Sequence, residues 1–243
     1  MQDEADTEVV LLEMKDVTIS KGNNIILQNF NLELCEGDIL CLIGDNGIGK
    51  STLIETAAGM QKLSSGSIYH REKNNTNFDS LGLVRDFEGR RDLQTPFGIT
   101  LQTNAICGDE TVIERLVLAT KLAGFKPDES IMMNQLSLWN LEHRANDRVF
   151  KLSGGMKRRL AVLVGLIPAI ISKKPRLILL DEPDDGLDDQ ALKLISDTIS
   201  KLAVNGHSIL FSTHNKELEK IANKIIDLNQ KEKTVELREA IDK

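Results

Sequence analysis

The chain has 243 residues, 41% of them hydrophobic, and its 37 acidic against 30 basic side chains leave a net charge of −7. That length can bury one large core, with or without an inserted lobe, and the acidic balance excludes a global basic field that would recruit nucleic acid or anionic lipid. Cys35, Cys41 and Cys107 show no paired spacing, which predicts neither a disulfide nor a zinc framework and suits a reducing compartment. The first eight residues are acidic where a signal peptide is basic and then apolar, and the longest apolar stretch, residues 160–171, contains Pro168 and is too short to span a bilayer.

In chain order, residues 9–14, 25–27 and 30–34 are β-prone or alternate apolar with polar, and Gly22, Asn23 and Asn24 supply a turn. They predict a half-buried antiparallel sheet that leads into a buried strand over residues 38–43. Next come Gly44, Asp45, Asn46, Gly47, Ile48, Gly49, Lys50 and Ser51, followed by helical sequence from Thr52 to Ala58. Strand, glycine-rich loop and helix in that order form a phosphate cradle. Glycines let backbone N–H groups turn inward around an anion, and the helix presents its positive end. Lys50 is placed to reach β- and γ-phosphates, and Ser51 to ligate Mg²⁺.

Beyond Gly59, a short strand at residues 67–69 and a polar hairpin tip at 71–79 precede residues 80–84, which read as a further core strand. The charged run 85–92 reads as a solvated face, with a nucleotide-sensing loop as the other reading. From Pro96 to Lys151 strand signals give way to helical periodicity, including a helix opened by Pro127, Asp128, Glu129 and Ser130, and the lone Trp139 fits as core packing of that lobe. Leu152, Ser153, Gly154 and Gly155 then open a helix and make a second anion site, while Lys157, Arg158 and Arg159 read as solvated or domain-packing residues. A fully apolar strand at 177–180 ends in Asp181 and Glu182, and the strand at 208–213 ends in His214. Open α/β sheets bind ligands at the carboxyl ends of their strands, so these side chains share a crevice with Lys50.

Taken together, the loop 44–51, the tetrapeptide 152–155, the acidic strand end 177–182 with Asp185, Gly186, Leu187 and Asp188 after it, and His214 resemble the ATP-binding-cassette ATPases of ABC transporters. The resemblance covers residues 11 to 228. It implies an α/β fold: a P-loop NTPase core (residues 1–95 and 152–243) with an N-terminal antiparallel β subdomain and an inserted α-helical subdomain at 96–151. It also implies an ATPase that pairs head to tail with a second cassette, identical or paralogous, around two ATP and Mg²⁺. Such a subunit would drive separate transmembrane permease subunits from the cytoplasmic face of the membrane, with no nucleic-acid partner. A soluble ABC ATPase acting on a protein scaffold, of the iron–sulfur assembly type, is the other reading.

By the resemblance, Glu182 polarises the attacking water and His214 contacts the γ-phosphate. Ser51 and Asp181 hold Mg²⁺, residues 44–51 with Thr52 hold the phosphates, and Ser153, Gly154, Gly155 and Asp188 act across the interface. Three departures stand out. Met156 follows the tetrapeptide where a polar residue is common, and the stretch 160–174 is longer than usual and expected to be broken by Pro168. Lys21 occupies the position where relatives carry a ring that stacks on adenine. The loop glutamine is also displaced: strand alignment puts Asp86 there, and Gln94 is favoured as the residue that touches Mg²⁺ and water.

Overall fold

The computed structural model describes residues 9–22, 24–71, 81–92, 97–102, 108–230 and 236–237. Two long strands, β1 (Val10–Lys21) and β2 (Asn24–Cys35), pair antiparallel and are followed by β3 (Ile39–Ile43), α1 (Lys50–Ala57), β4 (Ser65–Arg71) and β5 (Leu81–Asp86). Then come β6 (Gly98–Thr100), α2 (Val112–Leu122), α3 (Glu129–Leu138), α4 (Gly154–Ile170), β7 (Leu177–Asp181) and α5 (Asp189–Val204). The chain closes with β8 (Ser208–Ser212), α6 (Lys216–Glu219), β9 (Lys224–Asp227) and β10 (Glu236–Leu237).

The strands form a four-stranded antiparallel sheet, β2-β1-β4-β5, and a six-stranded sheet, β10-β9-β3-β8-β7-β6, parallel except for β10. In the second sheet the apolar runs divide by parity. Ile39, Cys41, Ile178, Leu180, Ile209 and Phe211 join a core with α2, α3, α4 and α5, whereas Leu40, Leu42, Leu177, Leu179 and Leu210 join a core with α1 and the antiparallel sheet. Burial on both faces is why these strands are continuously hydrophobic. Parallel register aligns their ends, pairing Leu42 and Asp181 each with Ser212 and Thr100 with Leu180. The segments leaving β3, β6, β7 and β8 therefore emerge along one edge.

Three expectations are corrected. Residues 80–84 were expected as a further core strand, but β5 buries only alternate residues and pairs with β4 in the antiparallel sheet, which has one face covered, rather than in the buried parallel sheet. Asp86, at its end, is buried against Arg90 and belongs to the antiparallel sheet, not the parallel sheet that carries β6, β7 and β8. Within the stretch expected to be helical from Pro96, Gly98–Thr100 forms β6 in the parallel sheet. Pro168 does not break α4, which runs through it to Ile170. In the helical part, Thr111 and Glu114 form a reciprocal capping box on α2, Asp128 caps α3, and Trp139 is 1% exposed as expected of core packing.

Candidate nucleotide site

Gly44, Gly47 and Gly49 all have positive φ, and Gly49, at φ 119°, is the residue before the first turn of α1. A Cβ on Gly49 would lie 2.7 Å from Ile26 Cγ2, so the loop closes against β2 only with glycine there. Asp45 N–H donates to Asn229 Oδ1 at 3.2 Å, which ties the loop to the segment after β9. The Lys50 ammonium, on a side chain almost fully buried, donates to the carbonyls of Gly44 at 2.8 Å and Asp45 at 3.2 Å. Its third contact is His214 Nε2 at 3.0 Å.

From His214 the cluster continues. Nε2 lies 3.4 Å from Glu182 Oε1, and Glu182 Oε2 accepts from Gln102 Nε2 at 2.8 Å. Four side chains from four different segments thus form one chain of contacts, Lys50–His214–Glu182–Gln102. Beneath them Asp181 is 1% exposed and accepts from Ser212 Oγ at 2.6 Å, and the same hydroxyl accepts from Glu182 N–H at 2.9 Å. Glu182 adopts φ 47°, a left-handed conformation uncommon outside glycine.

Gln102 is the site residue that sequence reasoning missed. It stands two residues past β6, on the edge that carries Glu182. Gln94 lies outside the described residues. The signal was present in Phe97-Gly98-Ile99-Thr100-Leu101-Gln102, a short β-prone run ending in an amide, but it sits inside sequence that otherwise reads as helix.

The second anion site is separate from this chain. Ser153 and Gly154 are exposed, Ser153 Oγ accepts from Met156 N–H at 3.3 Å as the cap of α4, and the first turn of α4 carries no acidic residue. Asp188, also exposed, caps α5 by accepting from Ala191 N–H at 2.8 Å. At the adenine side, Lys21 Nζ donates to Thr52 Oγ1 at 3.2 Å, so an ammonium rather than a ring stands beside the first turn of α1. Burial pushes the Asp184 carboxyl above the usual carboxylate range.

The family described as ABC transporter matches residues 27–185. The chain belongs to the ABC transporter family. It is 31% identical over 232 residues to the Nod factor export ATP-binding protein I of Rhizobium leguminosarum bv. viciae, a match that covers 94% of this chain and 70% of that one. It is also 31% identical over 230 residues to the methionine import ATP-binding protein MetN of Brucella abortus (strain 2308), covering 92% of this chain and 58% of that one. The chain thus spans between about three-fifths and seven-tenths of these two relatives. Among solved structures it superposes on the ATP-binding subunit of an ABC transporter with a TM-score of 0.76 at 24% identity, covering 93% and 90% of the two chains. A dimeric ATP-binding cassette in a post-hydrolysis state bound to ADP and Pi gives 0.70 at 23% identity, covering 89% and 94%. The fold is therefore the ABC nucleotide-binding form of the P-loop NTPase fold, and the ABC cassette is an ATP-binding ATPase subunit. Among the described residues no helix is long and apolar enough to cross a membrane.

Proposed function

We propose that this ABC cassette hydrolyses ATP as one half of a head-to-tail pair and thereby drives separate membrane subunits. The observation that carries the reading is the continuous Lys50–His214–Glu182–Gln102 cluster at the mouth of the glycine loop. Lys50, the loop N–H groups and the start of α1 take the β- and γ-phosphates and offset charge as it develops in phosphoryl transfer. Glu182 orients the attacking water, held in place by the Gln102 amide, and His214 faces the γ-phosphate.

The donors present suit Mg²⁺. The Ser51 hydroxyl, the Asp181 carboxylate and a glutamine amide are hard oxygen ligands, too few for an all-protein cage and appropriate for an ion that keeps water and phosphate oxygens. Ser51 and Asp181 would hold it, with Gln102 taking the place expected of Gln94. Bound there, Mg²⁺ supplies charge neutralisation of the phosphates.

Exposed Ser153 and Gly154, with half-buried Gly155, at a helix N-terminus that carries no acidic residue in its first turn, and exposed Asp188 at the start of α5, support their action on the nucleotide of a second copy or a paralogue. The dimeric cassette among the similar structures supports the same arrangement. The helical lobe then starts after Gln102 rather than at Pro96. Its α2 borders an apolar groove of about 180 Å³ lined by Phe97, Leu118, Leu122 and Pro168, with Leu118 47% and Leu122 72% exposed, a surface suited to a permease helix on the cytoplasmic face of the membrane.

The test is Glu182→Gln. It is expected to abolish phosphate release while ATP binding and ATP-dependent dimerisation persist, measured by nucleotide binding and sedimentation. Turnover at the wild-type rate would overturn the assignment of Glu182. Detergent extracts should yield the chain together with an integral membrane protein, and recovery with a soluble scaffold instead would overturn the transport reading.

A further inference from the structure

Arg158 lies in the second turn of α4, three residues past Gly155, and is 3% exposed. The sequence suggests a solvated or packing cation. Instead its guanidinium is given to main-chain carbonyls: Nη1 donates to Leu101 O at 3.0 Å, and Nη2 donates to Asp181 O at 2.7 Å and to Glu182 O. Leu101 directly precedes Gln102, and Glu182 carries the carboxylate that the Gln102 amide holds. One side chain on the helix that Ser153 caps therefore holds both Glu182 and the residue before Gln102, the two backbones that carry the Gln102–Glu182 contact.

Two features separate this arrangement from ordinary packing. The first is its cost. Burial pushes the guanidinium pKa down against the opposing field of Asp185, Asp181, Asp184 and Glu182, and Nε is buried without a partner. A buried cation satisfied through carbonyls alone is an expensive way to fill space. The second is its target. Glu182 sits at φ 47°, and such a conformation persists only where neighbours over-determine it. Here they do: Ser212 Oγ holds the Glu182 N–H, while Arg158 and the Asp185 N–H both hold its carbonyl. The planar fork spans carbonyls at the ends of two different strands, just past β6 and at and past the end of β7, whereas a lysine ammonium presents its donors from a single point.

We propose that Arg158 is a positioning residue that couples the start of α4 to the Gln102–Glu182 contact of its own chain, so that a nucleotide seated on Ser153, Gly154 and Gly155 by a second copy sets the water-orienting geometry of this one. The proposal rests on the head-to-tail reading of those three residues. An anion drawn onto the N-terminus shifts α4 as a unit, and Arg158 carries the carbonyls of Leu101 and Glu182 with it. Loss of the fork leaves phosphate binding at Lys50 untouched but lets Glu182 drift from its productive direction.

Arg158→Lys and Arg158→Ala in the full chain test this, with ATPase kinetics beside ATP-dependent dimerisation in the Glu182→Gln background. A misplaced water-orienting group costs rate rather than affinity, so kcat should fall roughly ten- to a hundredfold in both variants. The ATP KM should stay within about twofold, because ground-state binding is not touched. Arg158→Lys with Glu182→Gln should dimerise with ATP as Glu182→Gln alone does, and millimolar guanidinium, but not ammonium, should restore part of the Arg158→Ala rate. Arg158→Lys keeps charge and most of the volume, and carries the test by itself if Arg158→Ala does not fold. Wild-type kcat in Arg158→Lys, or loss of dimerisation in step with kcat, would overturn the positioning role. Failure of Glu182→Gln alone to dimerise would instead overturn the head-to-tail reading, and the coupling with it.

Discussion

Lys50 is a donor-only group, so its 3.0 Å approach to His214 Nε2 requires that nitrogen to accept and places the ring proton on Nδ1. The 3.4 Å approach of Glu182 Oε1 to the same nitrogen is then a proximity rather than a second hydrogen bond. The ammonium is held by two loop carbonyls and one imidazole, all of which a phosphate would displace. Lys21 adds a second cation to the same helix end, where the macrodipole already favours an anion, and among the described residues it forms no ion pair. We expect Lys21→Ala to raise the ATP KM roughly two- to fivefold at low ionic strength, the range of about 1 kcal/mol for an exposed charge contact, and less in high salt. Because Lys21 touches Thr52 and not a base, KM for GTP should rise by the same factor as KM for ATP. A change confined to ATP would show that Lys21 reads adenine instead. Lys50 and Ser51 were legible in the sequence from the glycine loop that precedes them, and Asp181, Glu182 and His214 because each is chemistry attached to a strand end. Arg158 was not, since its meaning lies in three carbonyls that only the fold brings together.

At the scale of elements, β3, β7 and β8 announce themselves through continuous apolar runs, α2 through helical periodicity, and α3 through the opening Pro127, Asp128, Glu129 and Ser130. β6 does not, because a three-residue strand is too short to show a period inside sequence that otherwise reads as helix. Its place is set by α4. A Cβ on Gly98 would lie 1.9 Å from the carbonyl oxygen of Gly165, a Cβ on Gly165 would lie 2.3 Å from Thr100 Oγ1, and Thr100 Oγ1 donates to Ala161 O at 3.1 Å. The two glycines let helix and strand backbones touch, and that contact delivers Leu101 to Arg158 and Gln102 to Glu182. Gly98→Ala forces the backbones apart. It is expected to cost about 1–3 kcal/mol of stability, as overpacking does, and to lower kcat by more than Lys21→Ala does, since it moves the Gln102 amide. Urea titration with paired ATPase measurement checks both. Wild-type stability would mean that α4 and β6 do not meet as described. The misplacement of β5 has a different cause: alternating burial of Leu81, Gly82, Leu83 and Val84 marks a one-faced sheet, but glycine in the alternation hides the period.

Over the whole molecule, the burial of the parallel strands was readable from their continuous apolar runs, while their division between two cores and the joints between layers were not, because those joints are made by polar groups far apart in sequence. His70 is one such joint. It lies on β4, is 3% exposed, donates Nε2–H to Ala57 O at 2.7 Å at the end of α1, and meets the Phe97 ring edge-on at 5.1 Å. Burial lowers its pKa to about 4. His207 is another, its Nδ1 accepting from Arg176 N–H at 3.0 Å, with burial and the Arg176 charge lowering its pKa to about 4. Both rings are neutral in the fold at pH values where the unfolded chain, with an ordinary value of 6.5, takes up protons. The unfolded state therefore binds more protons between pH 6.5 and 4, and stability falls as pH drops through that window. For fully buried His70 the loss between pH 7 and pH 5 is about 2 kcal/mol, approaching roughly 3 kcal/mol at pH 4. His207 acts in the same direction. His70→Gln keeps an amide able to donate toward Ala57 and cannot titrate, so its urea stability should change by about 2 kcal/mol less than that of the wild type between pH 7 and pH 5. The two proteins share every other titrating group, which makes the difference between their pH slopes specific to this ring. Identical slopes would mean that the His70 joint opens to water before the chain unfolds.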